Sequence, residues 1–353
     1  MRKLQLTVGR VAAARLATEG WSPDLFDTLV GASGGPKWLI LGGLDRVLAE
    51  SLLQRRQRPL QLLGSSIGTW RHACLSQPDP VAAIDRFEAA YVAQSYSARP
   101  SPSEISEVAT EILLEALGSD GVRHVVDHQL LRNHIVTARA TGLARGTDRW
   151  AIAAGMGVAA LGNALHRRWL AGNFHRVVFS HAGGQLPDLL TGFRTTSVAL
   201  NPANLIPALK ASGAIPLVLE PERDIPGAPA GIYWDGGIID YHFALPRESG
   251  SGLMLYPHFT NTLTPGWFDK FLPWRSGAVP RCDDLVMLSP SRELVASLPF
   301  GKIPDRRDFQ HLDSTARQRY WRTCIAASRA MAEEFAALIT ASDPLQGATI
   351  IDE

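Results

Sequence analysis

The chain contains little cysteine and has almost no net charge. Its three cysteines, Cys74, Cys282 and Cys324, are too few and too widely spaced for a disulfide framework or a Cys-x-x-Cys metal clip. Such sparse use fits a reducing compartment, and we expect a cytoplasmic protein. The 35 basic and 34 acidic side chains give a formal net charge of +1. Nucleic acid is therefore not an expected partner, and any charge-based recognition must be local.

The sequence also lacks a hydrophobic run long enough to cross a membrane. Its most apolar stretch, residues 151–165, is shorter than the roughly 20 residues of a spanning helix, and we predict a buried helix there. The basic start is followed by no long apolar run and no small-residue cleavage site, so no signal peptide is expected. Peripheral contact with a membrane is left open.

What the chain does contain is an alternation of apolar strands and helical patterns. Residues 26–30 and 59–63 have the pattern of buried strands, and each is followed by a glycine-rich turn and a helical pattern. Further helices are predicted at 8–19, 81–96, 103–117 and 314–340, and further strands at 134–138, 176–180 and 231–234. This alternation predicts an α/β fold with a mostly parallel sheet covered by helices on both faces. One domain over residues 1–353 is the simplest account.

A glycine-bounded serine follows the second of these strands. Residues 64–68 read Gly-Ser-Ser-Ile-Gly, which matches the G-x-S-x-G nucleophile elbow with Ser66 as the nucleophile. Gly64 and Gly68 would let the strand and the helix approach closely. An elbow also brings the hydroxyl near a helix N-terminus, where an oxyanion is stabilised. Taken alone, the pattern fits an ordinary glycine-bounded turn equally well.

Two adjacent glycines, Gly34 and Gly35, follow the first strand. Neighbouring backbone N–H groups at the start of a helix can hold an anion. The segment lacks both the P-loop spacing and the G-x-G-x-x-G dinucleotide fingerprint, and no cofactor is expected. Pro36 suits a first helical position, whereas Lys37 opposes the helix macrodipole. Lys37 is therefore a candidate for supporting the loop or attracting an anionic head group.

The candidate base is an aspartate that stands between a β-like run and two glycines. Asp235 follows Tyr233 and Trp234, and Gly236 and Gly237 leave the backbone free to bring its carboxylate close to another segment. A plain Asp-Gly-Gly turn has the same pattern. An exposed carboxylate is too weak a base, so we expect apolar neighbours such as Tyr233 and Trp234 to raise its pKa.

In order, these segments resemble the patatin-like phospholipase family. The family has a glycine-rich oxyanion loop ending in a basic residue, then G-x-S-x-G, then A-S-x-A-x-P and D-G-[GA]. Here the matching segments are residues 34–37, 64–68, 211–216 and 235–237. The resemblance covers about residues 26–245, and we expect residues 246–353 to be a C-terminal extension packed on the core. Ser33 and Lys37 depart from the family's usual third glycine and arginine, and no Asn-Pro follows residue 237.

The resemblance implies a patatin-like three-layer α/β/α fold and a Ser–Asp dyad that works without histidine. Ser66 would attack an acyl ester, often a lipid, while Asp235 accepts its proton and Gly34 and Gly35 form the oxyanion hole. Neither a metal nor a cofactor is implied. His124 and His128 have no evident third ligand, and no metal site is predicted.

Three alternatives remain open at the level of sequence. The first is an α/β-hydrolase with a Ser–Asp–His triad, for which His242, His258 and His311 are available. The second is a non-catalytic lipid- or protein-binding module on a hydrolase scaffold. The third is an acyltransferase that uses the same dyad. Acyl-chain length, head group and oligomeric state are likewise undetermined.

An aromatic segment stands in the C-terminal region, near Lys270 and Arg275. Its members are Trp267, Phe268, Phe271 and Trp274. We interpret the segment as an apolar cap rather than an interfacial lid.

Overall fold

The computed structural model describes residues 2–186, 190, 192–243 and 252–351. Their strands are β1 (Leu4–Val8), β2 (Phe26–Gly31), β3 (Leu60–Ser65), β4 (Leu131–Ala140), β5 (Phe174–Ser180), β6 (Thr195–Ala199), β7 (Glu222–Arg223), β8 (Ile232–Asp235), β9 (Leu253–Pro257), β10 (Thr262–Leu263), β11 (Gly277–Ala278), β12 (Leu285–Pro290) and β13 (Thr349–Ile350). The predicted strands correspond to β2, β3, β4, β5 and β8 and are confirmed.

The α-helices of the described residues are α1 (Arg10–Glu19), α2 (Gly42–Leu48), α3 (Ile67–Leu75), α4 (Pro80–Ala93), α5 (Pro102–Leu117), α6 (Gly121–Val126), α7 (Arg149–Leu165), α8 (Arg167–Leu170), α9 (Leu205–Gly213), α10 (Arg292–Ser297), α11 (Asp308–His311) and α12 (Ser314–Ile339). Short 3₁₀ segments include Gly35–Ile40, Gly236–Ile238 and Trp267–Phe271. The helices predicted at 8–19, 81–96, 103–117 and 314–340 are confirmed as α1, α4, α5 and α12. Residue 8 itself belongs to β1.

Side-chain caps fix the starts of the longer helices. The carboxylate of Asp79 accepts from the N–H of Ala82 ahead of α4, and the carboxylate of Asp313 accepts from the N–H of Ala316 ahead of α12. Each bond satisfies a backbone donor that has no partner within the helix. Proline occupies the first helical position of α4, where its missing N–H costs nothing.

The main sheet is mostly parallel and has flanking helices, which confirms the predicted α/β fold class. Its strand order is β13-β1-β12-β9-β2-β3-β4-β5-β6, and β8 also pairs with β4. The run from β12 through β9, β2 and β3 to β4 is parallel throughout. All residues of β9 and β12 are buried, as expected for strands covered on both faces. The predicted C-terminal extension thus supplies three strands to this sheet, namely β9, β12 and β13.

One edge of β4 brings two other strands together end to end. β3 runs parallel to β4 and pairs with residues 131–136, whereas β8 runs antiparallel and pairs with residues 137–139. β5 pairs with residues 134–140, so it occupies the opposite edge of β4. Ser65 lies opposite Val136, and Asp235 lies opposite Thr137. The carboxyl ends of β3 and β8 therefore meet at adjacent positions of β4.

Helix α7 corresponds to the predicted buried helix, but only one of its sides is buried. Ile152, Met156 and Ala159 face a second, smaller hydrophobic core. On the other side, Trp150 is 82% exposed and Leu161 is 70% exposed. The prediction was therefore wrong for the outer face, because composition alone does not show that a helix lies at the surface. Within the described part of the chain, no helix has both the length and the apolarity needed to cross a membrane.

Candidate active site

Ser66 occupies a strained turn between a strand and a helix. β3 ends at Ser65 and α3 begins at Ile67, and Ser66 between them has φ 54° and ψ −131°. L-residues rarely adopt this conformation, which costs on the order of 1–3 kcal/mol and is found mainly at functional sites. The turn places the Ser66 hydroxyl beyond the end of the sheet, at the N-terminus of α3.

The glycines of the elbow are required by close backbone contacts. A Cβ on Gly68 would lie 2.1 Å from the carbonyl oxygen of Gly31, an approach that no side chain can relieve. A Cβ on Gly64 would lie 3.0 Å from the backbone of Thr69. Helix α3 therefore packs directly on the ends of β2 and β3 because both positions lack a side chain.

Two buried serines fix the elbow to its surroundings. The N–H of Ser66 donates to the hydroxyl of Ser212 at 2.9 Å, and that hydroxyl donates to the carbonyl of Val136 at 2.7 Å. Ser33 donates to the hydroxyl of Ser65 at 3.0 Å. The serine that departs from the family's third glycine thus connects the glycine loop to the elbow.

Asp235 contacts Ser66 directly. The Ser66 hydroxyl donates to Asp235 Oδ2 at 2.8 Å, and the N–H of Gly237 donates to Oδ1 at 2.7 Å. A Cβ on Gly236 would lie 2.2 Å from the carbonyl oxygen of Val136. The two glycines after Asp235 therefore allow its carboxylate to lie between β4 and the elbow.

Burial changes the acid strength of Asp235. Desolvation raises the pKa of its carboxyl, which is the expected effect of removing a charge from water. The positive charge of Arg306, the N–H of Gly237, the Ser66 hydroxyl and Lys270 act in the opposite direction. Trp234 and Tyr233, the predicted apolar neighbours, are fully buried beside it in the chain. A carboxylate with a raised pKa is a stronger base than an exposed one.

The glycine loop lies beside the serine. Gly34 is extended with φ 172°, and Gly35 is left-handed with φ 55°, a conformation that favours glycine. Among the described residues, no acceptor is found for the N–H group of either glycine. Both donors are therefore available to an anion.

Two cavities meet at this loop. One, of about 740 Å³, contains Ser66 and Gly35 and has a largely apolar lining that includes Ile67, Trp70, Ile105, Ile112, Val218 and Phe309. The other, of about 900 Å³, contains Gly34 and Lys37. Arg306 lines both cavities. The first cavity is therefore suited to an apolar group.

Lys37 lies in the second cavity. Its ammonium group is 4.8 Å from the centre of the Phe259 ring, a cation–π contact. Burial lowers its pKa, Asp305 acts in the opposite direction, and Arg306 and Lys302 lower it further. Lys37 therefore faces the cavity instead of leaving the loop for solvent.

The histidines of the triad alternative have other contacts or lie at the surface. His242 accepts at Nδ1 from the N–H of Thr264, His258 contacts the backbone of Thr260, and His311 is exposed at the end of α11. Within residues 2–186, 190, 192–243 and 252–351, no histidine hydrogen-bonds to Ser66 or Asp235.

The aromatic segment is divided between the interior and the surface. Phe268 is buried, whereas Phe271 is 72% exposed and Trp274 is 73% exposed. The apolar-cap interpretation therefore holds for Phe268 but not for the two exposed rings.

Several residues of the site were not found from the sequence. Ser212 falls within the matched segment 211–216, but only the structure reveals that it holds the elbow. Lys270 and Arg306 belong to a region without family motifs, and they approach the glycine loop only through the tertiary fold. In the sequence of this region, the adjacent basic residues Arg306 and Arg307 are the local feature that could have indicated a cationic site.

Comparison with known proteins gives limited information. No family model and no curated protein matches the chain. Among solved structures, VipD from Legionella pneumophila aligns with a TM-score of 0.35 and 12% identity over 99% of this chain and 75% of that one. The type III effector protein ExoU aligns with a TM-score of 0.24 and 15% identity, over 87% of this chain and 54% of its own. Similarity at this level carries no argument about activity.

Proposed function

We propose that the chain is a serine acyl-ester hydrolase of the lipid acyl hydrolase type, with Ser66 as nucleophile and Asp235 as base. The observation that carries the proposal is the 2.8 Å hydrogen bond from the Ser66 hydroxyl to Asp235. Three further features support it: the strained elbow, the N–H groups of Gly34 and Gly35, which have no acceptor among the described residues, and the apolar cavity that contains Ser66.

The reaction proceeds through an acyl-enzyme. Ser66 Oγ forms a bond to the ester carbonyl carbon as its proton passes to Asp235, and the resulting oxyanion accepts hydrogen bonds from Gly34 and Gly35. The tetrahedral intermediate collapses, the bond to the alcohol oxygen breaks, and Asp235 returns the proton to that oxygen. Water then attacks the acyl carbon and gives a proton to Asp235. The bond to Ser66 Oγ breaks as Asp235 returns that proton to it, which releases the carboxylic acid and restores Ser66 and the Asp235 carboxylate.

The test is hydrolysis of p-nitrophenyl esters of graded chain length, together with fluorophosphonate labelling and mass mapping. We expect the label on Ser66, and losses of at least about 10³-fold in kcat for Ser66→Ala and Asp235→Asn. Ser65→Ala shows which serine is the nucleophile: it should keep the label on Ser66, because Ser65 is not bonded to Asp235, although it removes the acceptor of the Ser33 hydrogen bond.

Two outcomes would contradict the proposal. An inert, unlabelled wild type would favour the binding-module alternative. Activity that survives Asp235→Asn but is lost in His242→Gln would favour a triad.

A further inference from the structure

The second cavity at the glycine loop is strongly cationic. Among the described residues, its lining has one acidic side chain, Asp305, and six basic ones: Lys37, Lys270, Arg292, Lys302, Arg306 and Arg307. The whole chain has a formal net charge of only +1, so this concentration is local. A cavity lined by charges of one sign attracts ligands of the opposite sign.

Three of these cations converge on the site from separate parts of the chain. Lys37 follows the glycine loop, Lys270 lies in the segment Trp267–Phe271, and Arg306 precedes α11. Arg306 Nε is 3.4 Å from the position that a Cβ would occupy on Gly35. Lys270 and Arg306 both act on the pKa of Asp235. The three charges therefore lie at the point where chemistry would occur.

Within the described part of the chain, none of the three forms a salt bridge, and the carboxylates of Asp235 and Asp305 act on them only at longer range. Lys37 and Lys270 lie over aromatic rings, with Lys270 3.6 Å from the centre of the Tyr241 ring. In contrast, Lys302 pairs with Asp308 at 2.6 Å and with Asp305 at 3.1 Å. Burial, followed by the charges of Arg306 and Lys37, lowers the pKa of Lys270 to about 6. A ligand that brings a negative charge stabilises such a cluster, because its own carboxylates lie beyond salt-bridge distance.

We propose that this cavity binds an anionic group, a phosphate or a carboxylate, carried by the alcohol portion of the ester. The inference rests on the proposed function and adds the class of substrate. Gly34 lines the cationic cavity and Gly35 lines the apolar one. An ester whose carbonyl lies at this glycine pair would therefore place its acyl chain in the apolar cavity and its alcohol portion in the cationic cavity. Arg306 can bind two oxygens of the anion, and the lysines supply point charges.

Two esters with the same acyl chain test this assignment, namely a monoacylglycerol phosphate and the corresponding uncharged monoacylglycerol. We expect wild type to prefer the anionic ester in kcat/KM by at least about tenfold, a ratio typical of charge-assisted recognition. Lys270→Gln and Arg306→Gln should each lower that ratio several-fold, mainly through the KM for the anionic ester. Arg319→Gln, an exposed site on α12, is the matched control and should leave the ratio unchanged.

Inorganic phosphate distinguishes a head-group site from a site for the free ion. We expect phosphate to compete with the anionic ester and to lose that effect in Lys270→Gln. If phosphate changes hydrolysis of both esters equally and wild type shows no preference between them, the cavity serves the free ion and the head-group assignment fails.

The inference and the proposed function fail in different ways. If wild type is labelled at Ser66 and hydrolyses both esters, but neither substitution changes the ratio, the anion site is wrong while the hydrolase remains. If there is neither labelling nor hydrolysis, the proposed function itself fails.

A second, independent observation concerns the outer face of α7. From Trp150 to Leu165 the helix contains no charged residue. Trp150 is 82%, Leu161 70% and Leu165 71% exposed, and Trp169 in α8 is 60% exposed. Tryptophan thus marks both ends of an apolar face, a distribution typical of helices that lie in a membrane interface.

The charges around this face favour an anionic surface. Arg145, Arg149 and Arg168 are exposed beside it, and Asp148 is the acidic residue nearest its start. The face is also connected to the site, because Asn163 of α7 donates to Asp269 at 2.7 Å and the adjacent Lys270 and Phe271 line the cationic cavity. We infer that the α7 face docks on an anionic lipid surface and thereby brings the cavity to its substrate.

Vesicle co-sedimentation tests the docking surface. We expect wild type to bind phosphatidylcholine vesicles containing about 30% phosphatidylglycerol more tightly than phosphatidylcholine alone, because exposed arginines add to apolar burial. The double variant Leu161→Gln, Leu165→Gln should weaken binding at least about tenfold. Leu114→Gln on α5, where the side chain is 50% exposed, is the matched control.

Two results would overturn this docking surface. One is wild type that remains in the supernatant with both vesicle types. The other is a dimer in sedimentation velocity that the double variant dissociates, which would identify a second copy of the chain as the occupant.

Discussion

At the scale of single residues, the carboxylate of Asp235 is held where its charge is unfavourable. Burial raises its pKa above the unfolded value, although Arg306, Gly237, Ser66 and Lys270 oppose the shift. A carboxyl group whose pKa is higher in the folded state favours folding while it is protonated. Its contribution to the free energy of unfolding is lost as pH rises through the folded pKa. Near neutral pH the ionised Asp235 therefore destabilises the fold.

Asp235→Asn should consequently stabilise the protein while it abolishes activity. The amide is nearly isosteric, its oxygen can still accept from the N–H of Gly237, and it carries no buried charge. We expect the free energy of unfolding at about pH 7 to rise by about 0.5–2 kcal/mol, as for other active-site substitutions that relieve strain. Thermal or urea unfolding measures the change.

Acid provides the control for this prediction. Once pH falls below the folded pKa of Asp235, wild type is also neutral at this position, and the difference from Asp235→Asn should shrink. A variant that is less stable than wild type near neutral pH would contradict the interpretation.

At the scale of elements, the position of β8 on β4 determines the distance between Ser66 and Asp235. Ser65 and Asp235 lie opposite the adjacent residues Val136 and Thr137. A slip of one residue would displace Asp235 by about 3.4 Å and turn its side chain to the other face of the sheet. This register also requires small residues at positions 236 and 237. A side chain on Gly236 would collide with the carbonyl oxygen of Val136.

The contact between α3 and β2 gives an element-scale prediction. Gly68→Ala would place a methyl group 2.1 Å from the Gly31 carbonyl oxygen, so α3 must move away from β2 and take the elbow with it. We expect a loss of several kcal/mol in stability, the range for overpacking and backbone displacement, or no folded protein. Urea unfolding and fluorophosphonate labelling are the measurements.

Gly157→Ala is the matched control for the same substitution within a helix. Nothing lies within 4 Å of a Cβ at Gly157 in α7, so alanine should stabilise the protein by about 0.5–1 kcal/mol through helix propensity alone. Equal effects at positions 68 and 157 would show that the close packing at the elbow is not what requires glycine.

Local patterns predicted the elements that carry Ser66 and Asp235 but not the way they meet. The turn after β3 and the Asp-Gly-Gly turn after β8 each have a short-range signature, and both were found. β9 and β12 were missed because short, continuous apolar runs such as Leu253–Pro257 have no distinctive period. The antiparallel pairing of β8 beside a parallel neighbour is a tertiary property that no local pattern encodes.

At the scale of the whole molecule, burial raises the pKa of Asp235 and charges from distant segments partly offset the rise. In the proposed mechanism Asp235 must be ionised to accept the Ser66 proton. Its raised pKa should then move the acid limb of kcat/KM to a higher pH than an ordinary aspartate near 3.9 would give. His242 faces the same region, but burial and nearby cations lower its pKa far below its ordinary value. The acid limb should therefore report Asp235.

Arg306→Gln should shift this acid limb to still higher pH. Arg306 is the strongest of the groups that lower the pKa of Asp235, and its removal leaves desolvation less opposed. Hydrolysis of an uncharged p-nitrophenyl ester between about pH 4 and 8 measures the shift, since that substrate does not titrate. A limb that stays in place or moves to lower pH would contradict the assignment of Asp235 as the base.

The meeting of β3 and β8 also has a consequence for how the chain becomes active during its synthesis. Ser66 precedes Asp235 by 169 residues. At translation rates of about 5–20 residues per second, the nucleophile leaves the ribosome roughly 8–34 s before its base exists. Strands β9 and β12, which complete the sheet on the other side of β2, are made later still. Under the proposed function, a nascent chain therefore cannot hydrolyse an ester until nearly the whole sheet has been synthesised.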